Sequence, residues 1–388
     1  MIYLDFAATS PLRSEALQAY EHVSKAIYGN TSSLHDAGTT AKHILENCRM
    51  ELAKLINGEK DGIYFTGGGT ESNFLAIQSL LKGNSKKGKH IITTSIEHAS
   101  IYHLFRQLET EGYEVSFLPV DEWGQVSLQV LKEAVREDTC LVSIQHGNSE
   151  IGTIQHLQNI GLFLKEKEII FHSDCIQTFG KIKVDVKELH VDAISVSAHK
   201  VYGPKGVGAI YIKPSVRWEP IIPGGTHERG MRHGTVNVAG VAAFVTGAQL
   251  TCKEMDIAMS QMKRLRTLLT DLIDKKLHFI QVEGHSNSVL QNIVGLRLQG
   301  VEGQHVMLEC NRKGIAISTG SACQVGSTAP SRVMVATGKS VEEAHELIRV
   351  SFGKQTTEED ILFLTKVLEQ VMADWQSKGV KCHYDIRR

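Results

Sequence analysis

Three stretches of this chain place reactive side chains where the backbone leaves an apolar run. In FTGGGTESN, residues 65–73, the run meets three glycines and then a helical pattern. Backbone amides at a helix start, approached through glycines, cradle an anion or phosphate; a plain strand-to-helix turn has the same pattern. The Gly-Lys-Ser/Thr ending of a nucleotide loop is missing, which favours a smaller phosphate. In FHSDCIQTFGK, Asp174 follows a buried-looking run, with Gln177 three positions on. A carboxylate there serves a cationic ring nitrogen or a metal, or it caps a helix. In DAISVSAHKVYGPKG, His199 and Lys200 end another run. A lysine at the end of an interior strand is costly unless it is paired or covalently used. Burial would lower its pKa and leave a nucleophilic amine, as a Schiff base needs; a solvent-facing loop lysine is the competing description.

The three stretches carry more together than apart. A phosphate cradle, an acid for a ring nitrogen and a Schiff-base lysine are the three handles of pyridoxal phosphate. A fourth stretch, ISTGSACQVGSTAP, sets Cys323 among small residues, whereas free cysteines usually sit in apolar cores. Small residues and glycine pack weakly and give such a loop reach.

With these residues in place, the chain resembles the cysteine desulfurases of the NifS/IscS-like group, within the fold-type I pyridoxal-phosphate enzymes. The matching stretches are LDFAAT (4–9), GNTSSLHDAG (29–38), FTGGGTESN (65–73), IEHAS (96–100), NSEIGT (148–153), HSDCIQTFGK (172–181), SAHKVYGPKGVG (197–208), GGTHERGMRHGTVN (224–237), STGSAC (318–323) and IRVSFG (348–353). They run in the family's order across nearly the whole chain. The resemblance implies that Lys200 holds pyridoxal 5'-phosphate through its amine, that His98 stacks on the ring and that Asp174 pairs with the ring nitrogen. It implies Gln177, with Asn148 or Ser149, at the ring hydroxyl, and Gly69, Thr70, Ser197 and His199 at the phosphate. Thr235 of the partner subunit would complete the phosphate site, because the family works as a homodimer with shared sites.

The resemblance also implies the reaction. Arg349 would clamp the carboxylate of L-cysteine, a task suited to a bidentate guanidinium. Lys200 would move the Cα proton, His98 would be the local proton carrier, and Cys323, as thiolate, would take the substrate sulfur as a persulfide, leaving L-alanine. The sulfur would pass to an acceptor or scaffold protein, for iron–sulfur cluster assembly or for thiolated cofactors and tRNA. The same fold serves selenocysteine lyases and aminotransferases, and a scaffold that only docks assembly partners would keep the fold without the chemistry. The chain departs from the pattern where Ser149 stands for a usual second Asn, where Gly67 and Thr319 replace common serines, and in QVGSTAPS after Cys323.

Elements that hold such residues are visible in the apolar rhythm. Short β-rich runs at 62–67, 90–95, 114–120, 140–145, 169–173, 192–197 and 208–213 alternate with helical stretches. This predicts an α/β fold of fold-type I architecture, with a large domain built on a mostly parallel sheet whose strand ends carry the motifs. The amphipathic segment 251–277 reads as a junction, and the rhythm beyond it reads as a smaller α+β domain. We expect the large domain over 14–255 and the small one over 1–13 and 256–388, with Thr356 and Glu359 capping the last helix.

The bulk numbers limit the partners. A chain of 388 residues suggests about two domains, and a net charge of −1 gives no reason to expect nucleic acid or an anionic membrane. Seven scattered cysteines without a C-x-x-C pair argue against a disulfide framework and a zinc ribbon. With no signal-peptide pattern at MIYLDFAATS and no apolar run of spanning length, a cytoplasmic location is expected. Cys48, Cys140, Cys252 and Cys310 fall in helix or strand patterns, Cys175 reads as a small buried residue, and His35 and His227 are given no chemical step.

Overall fold

A computed structural model describes residues 1–320 and 329–377. Cys323 lies outside the described residues.

Apolar, β-branched runs become the strands of a seven-stranded sheet. Its order is Ile63–Thr66, Gly208–Ile212, Ala193–Ser197, Ile170–Asp174, Thr139–Ser143, His90–Thr94 and Glu114–Leu118. All but one of these strands run the same way; Gly208–Ile212 lies antiparallel to both its neighbours. Every residue of the inner strands is buried, as expected when helices cover both faces. The helix Ala99–Thr110 shows why such helices settle there. Its buried residues Ile101, Leu104, Phe105 and Leu108 recur at helical spacing and make one apolar stripe.

A second core forms around a four-stranded antiparallel sheet, Ser318–Thr319, Leu347–Ser351, Ile293–Leu298 and Ile280–Glu283. The helices Met255–Lys276 and Glu358–Ser377 supply its apolar cover through Met262, Leu265, Leu269, Ile361, Leu364 and Leu368. Leu4 joins this core, and Ile2–Tyr3 pairs in parallel with Ile315–Ala316.

The segment 251–277 is not one helix. The chain breaks at Glu254, between helices Val238–Lys253 and Met255–Lys276. Glu254 is held there by Arg13 at 3.3 Å and Lys354 at 2.8 Å. Phe244 and Ala248 of the first helix pack in the core of the large sheet, whereas the second helix belongs to the small core. The cap of the last helix also differs from expectation. Thr357 and Asp360 exchange the reciprocal bonds of a capping box, at 2.9 and 3.3 Å. Thr356 is buried and its hydroxyl accepts from Gly353 N–H at 3.0 Å, so the cap moves one residue on.

Candidate active site

The functional side chains gather at the carboxyl ends of the strands of the large sheet, as the topology requires. The strand Ile63–Thr66 ends in the glycine turn, and Gly68 adopts φ 144°, outside the range of most other residues. Gly69 opens the helix Gly69–Gly83. A Cβ at Gly69 would collide with Ile176 and lie 3.4 Å from Ser197 Cβ. Glycine there lets the helix start lie close against Ile176 and the end of the strand Ala193–Ser197. A cleft of about 900 Å³ opens here, lined by Gly69, Thr70, Ser100, Ser197, His199 and Thr9 among others. Four residues read from sequence as a phosphate site, Gly69, Thr70, Ser197 and His199, thus share one wall.

Lys200 is held from the amino-terminal segment. Its amine donates to the carbonyl oxygen of Ala8 at 2.9 Å and also to that of Ala7. Gln177 Nε2 donates to the same Ala7 oxygen at 3.0 Å. His199 Nδ1 meets Thr9 Oγ1 at 3.2 Å, and its pKa is pushed down to about 4, first by burial and then by the lysine charges nearby. Ala7 N–H donates to Ser351 Oγ at 2.8 Å, tying the same segment to the small sheet. Asp5 adds a further tie: Arg349 Nη2 pairs with its carboxylate at 2.8 Å, while Nη1 donates to Ser149 O at 3.0 Å.

Asp174 ends its strand with both oxygens occupied. Oδ1 accepts from Ile176 N–H at 2.9 Å, and Oδ2 accepts from Asn73 Nδ2 at 2.8 Å. His98 caps the helix Ala99–Thr110, its Nδ1 accepting from Ser100 N–H at 3.2 Å. The side chain of Asn148 is spent on its own turn: Oδ1 accepts from Glu150 and Ile151 N–H at 2.8 and 3.0 Å, and Nδ2 donates to Ile96 O at 3.3 Å. Thr235 lies in an exposed run and is not among the residues lining this cleft.

Whether pyridoxal phosphate fits can be tested on atoms left without partners. Ser197 Oγ and Gln177 Oε1 are buried and form no hydrogen bond, an arrangement proteins rarely tolerate. Each belongs to a residue read as a cofactor contact, one for the phosphate and one for the ring hydroxyl. With the glycine cradle and Lys200 at the carboxyl ends of the two strands that flank Gly208–Ile212, the residues present fit the group.

A family model described as aminotransferase class-V matches residues 2–364. The chain belongs to that family. It is 49% identical over 390 residues to a protein of Bacillus subtilis (strain 168) named, provisionally, as the cysteine desulfurase NifS, spanning 100% of this chain and 98% of the relative. It is 42% identical over 371 residues to the cysteine desulfurase IscS of Dictyoglomus turgidum, spanning 96% and 94% of the two chains. A solved structure titled as a NifS-like protein superposes with a TM-score of 0.89 at 32% identity, covering 96% of this chain and 99% of that one. The architecture is therefore that of this class-V member's relatives, fold-type I with a large, mostly parallel sheet.

Within this class-V site, several polar residues escaped the sequence reading. Asn73 and Ser100 lie inside the matching stretches FTGGGTESN and IEHAS but carry no reactive group that draws attention. Glu97 is buried, and burial pushes its pKa up to about 8; its Oε1 accepts from Thr94 Oγ1 at 2.7 Å and Gln145 N–H at 3.0 Å. Glu150 accepts from Ser331 Oγ at 2.5 Å, and its pKa is raised to about 7, chiefly by desolvation. Their signal in the sequence is slight, a carboxylate beside a single isoleucine in the loops that follow the strands His90–Thr94 and Thr139–Ser143. The histidines left without a chemical step behave accordingly: His35 Nδ1 caps the helix Asp36–Leu55, accepting from Gly38 N–H at 3.2 Å, and His227 opens a short turn. Cys175 is fully buried, with its thiol pushed up to about 12 by desolvation.

Proposed function

We propose that the protein is a pyridoxal-phosphate-dependent cysteine desulfurase that converts L-cysteine to L-alanine and leaves the sulfur on Cys323. The single observation that carries this reading is the convergence of Lys200, the glycine cradle and the orphaned Ser197 and Gln177 atoms at one set of strand ends. Gly69, Thr70, Ser197 and His199 would hold the phosphate, Gln177 with Ser149 the ring hydroxyl, and Asp174 the ring nitrogen. Ser149 is preferred over Asn148 because the Asn148 amide is committed to its turn. Once bound through Lys200, the cofactor supplies an electron sink for a carbanion at the substrate Cα.

The chain's own residues supply the rest. Arg349, oriented by Asp5 and Ser149 O, binds the substrate carboxylate. Lys200 would take the proton from Cα and return one to the carbon product. The Cys323 thiolate attacks the substrate sulfur: the S–S bond forms as the Cβ–S bond breaks, so cysteine and a thiol become alanine and a persulfide.

We further propose a homodimer in which Thr235 of the partner subunit completes the phosphate site. Phe74, an apolar side chain that lines the cleft and stays 38% exposed, supports a partner surface at its mouth. The domain limits proposed are 14–255 for the large domain and 1–13 with 256–388 for the small one. A reducing, cytoplasmic setting suits the free cysteines, and no helix of the described residues is long and apolar enough to cross a membrane. The persulfide would serve a protein acceptor in iron–sulfur cluster assembly or in thiolation of cofactors or tRNA.

The test is direct. Purified protein mixed with pyridoxal phosphate should gain visible absorbance that Lys200→Ala abolishes, and it should release alanine from L-cysteine. Cys323→Ala should stop alanine release while keeping the colour. A variant that forms alanine as fast as wild type would count against Cys323 as the sulfur acceptor, formation of the keto acid of cysteine in place of alanine would indicate an aminotransferase, and strong preference for selenocysteine would indicate a selenocysteine lyase. A colourless wild type would end the proposal.

A further inference from the structure

Between His98 and Asp174 runs a continuous line of hydrogen bonds. His98 Nδ1 meets Ser100 Oγ at 2.9 Å, Ser100 Oγ meets Asn73 Nδ2 at 3.0 Å, and Asn73 Nδ2 meets Asp174 Oδ2 at 2.8 Å. The donors in this line can be assigned. If the Asn73 amide were turned over, Oδ1 would face the Asp174 carboxylate, setting two acceptors against each other; Nδ2 must therefore point at Asp174. Its two hydrogens then serve Asp174 Oδ2 and Ser100 Oγ, which makes the Ser100 oxygen an acceptor and leaves its own hydrogen available to His98 Nδ1. The Ser100 main-chain N–H points at the same Nδ1, at 3.2 Å. Two donors on one ring nitrogen leave no room for a proton there. A neutral imidazole must then carry its hydrogen on Nε2.

We propose that Asn73 and Ser100 are positioning residues that join His98 to Asp174 and hold His98 as the neutral Nε2–H form. The role given to these two rests on the cofactor assignment above. Asn73 is buried, and its Oδ1 finds no donor, so the amide is kept for the two bonds it donates. The consequence for the reaction is specific. A neutral His98 with Nδ1 capping the helix cannot accept a proton at Nε2, and accepting one at Nδ1 would set N–H against N–H. His98 is thus a ring platform and a hydrogen-bond donor, and the proton from Cα falls to Lys200 alone.

The wiring is tested on apo-protein labelled with 15N-histidine, reading the imidazole nitrogens by NMR. The His98 signals are identified by their loss in His98→Gln. In wild type, Nδ1 of His98 should be unprotonated and Nε2 protonated. Ser100→Ala should shift the tautomer ratio toward Nδ1–H by roughly 3- to 10-fold, the loss of one hydrogen bond, and Asn73→Ala should shift it the same way by less. Ser100→Thr, which keeps the hydroxyl, should restore the wild-type ratio. A wild-type His98 protonated at Nδ1, or an unchanged ratio in both Ser100→Ala and Asn73→Ala, overturns the proposal. Adding pyridoxal phosphate to the same samples separates the two readings: colourless wild type counts against the cofactor, whereas a coloured protein with His98 protonated at Nδ1 counts against the wiring alone.

Discussion

Lys181 Nζ donates a hydrogen bond to the main-chain carbonyl oxygen of Lys200 at 2.9 Å. A second lysine thus braces the backbone of the residue proposed to hold the cofactor. Lys181 is buried, and desolvation pushes its pKa down to about 8 from 10.5. The folded state therefore binds fewer protons than the unfolded one between those values, and stability rises with pH across that window. Lys181→Met removes this slope. Relative to the variant, wild type should gain roughly 2–3 kcal/mol on going from pH 7 to pH 10, measured by urea unfolding at each pH. Stability curves that stay parallel would refute the assignment.

Ser197 Oγ is buried without a partner, so its hydroxyl is available to a phosphate. Hydrogen bonds to charged groups contribute about 1.5–3 kcal/mol. Ser197→Ala should weaken pyridoxal phosphate binding by roughly 10- to 100-fold, read by fluorescence titration of the apo-protein, with little change in unfolding midpoint. Equal affinity in variant and wild type would remove Ser197 from the phosphate site.

The contrast between Ser197 and Asn73 explains what was legible in the sequence. The strands reveal themselves because buried parallel strands need continuous apolar runs, and Ser197, His199 and Lys200 follow one such run directly. The glycine turn is legible because the φ of Gly68 is one that glycine takes without steric cost. Asn73 is a helical residue whose partners lie 27 and 101 positions away, so its role depends on packing alone. The helix break at Glu254 was hidden for a related reason, since its two cation partners come from distant parts of the chain. The shifted cap at Thr357 turned on one buried hydroxyl, which a spacing rule cannot see.

Arg349 is buried, and its orientation is set by Asp5 at 2.8 Å and Ser149 O at 3.0 Å. Lysine cannot reproduce a planar fork held at two points. Arg349→Lys should raise KM for L-cysteine by roughly 10- to 100-fold, the loss of a charge-assisted pair, with a smaller change in kcat. Asp5→Asn should move KM in the same direction by less, because the fork loses one of its two anchors. Steady-state alanine release checks both; an unchanged KM in Arg349→Lys would assign the carboxylate elsewhere.

Glu97 and Glu150 predict the opposite pH trend to Lys181. Burial raises their pKa values to about 8 and about 7 from 4.5. The folded state then holds more protons than the unfolded one, and the stability this gives is complete below pH 4.5 and is lost as pH rises through the folded values. Glu97→Gln removes the ionisation and keeps the shape. The variant should therefore gain stability on wild type between pH 5 and pH 9, by on the order of a few kcal/mol. Thermal unfolding in that range decides it, and a constant difference would place the Glu97 pKa near its ordinary value.

Glu228 staples the turn that leads into the exposed 233–235 run. Its Oε2 accepts from Arg49 Nη1 at 2.8 Å and Phe65 N–H at 2.7 Å, and its Oε1 accepts from Arg49 Nη2 at 3.0 Å. Both side chains are buried, so Glu228 depends on Arg49 to offset its desolvation, while Arg49 also pairs with Glu46 at 3.1 Å. Just beyond this turn, Arg232 pairs with Glu71 at 2.9 Å, and Glu71 also receives Gly67 N–H at the glycine turn. Glu228→Ala should cost about 3 kcal/mol, because it leaves the buried guanidinium with Glu46 as its one carboxylate and the Phe65 N–H without its acceptor. Replacing both partners by methionine should cost far less than the two single changes together, since no uncompensated charge remains. The cycle is read by urea unfolding. If the double variant is as unstable as the sum of the singles, the pair is not the staple, and the turn is held by its backbone alone.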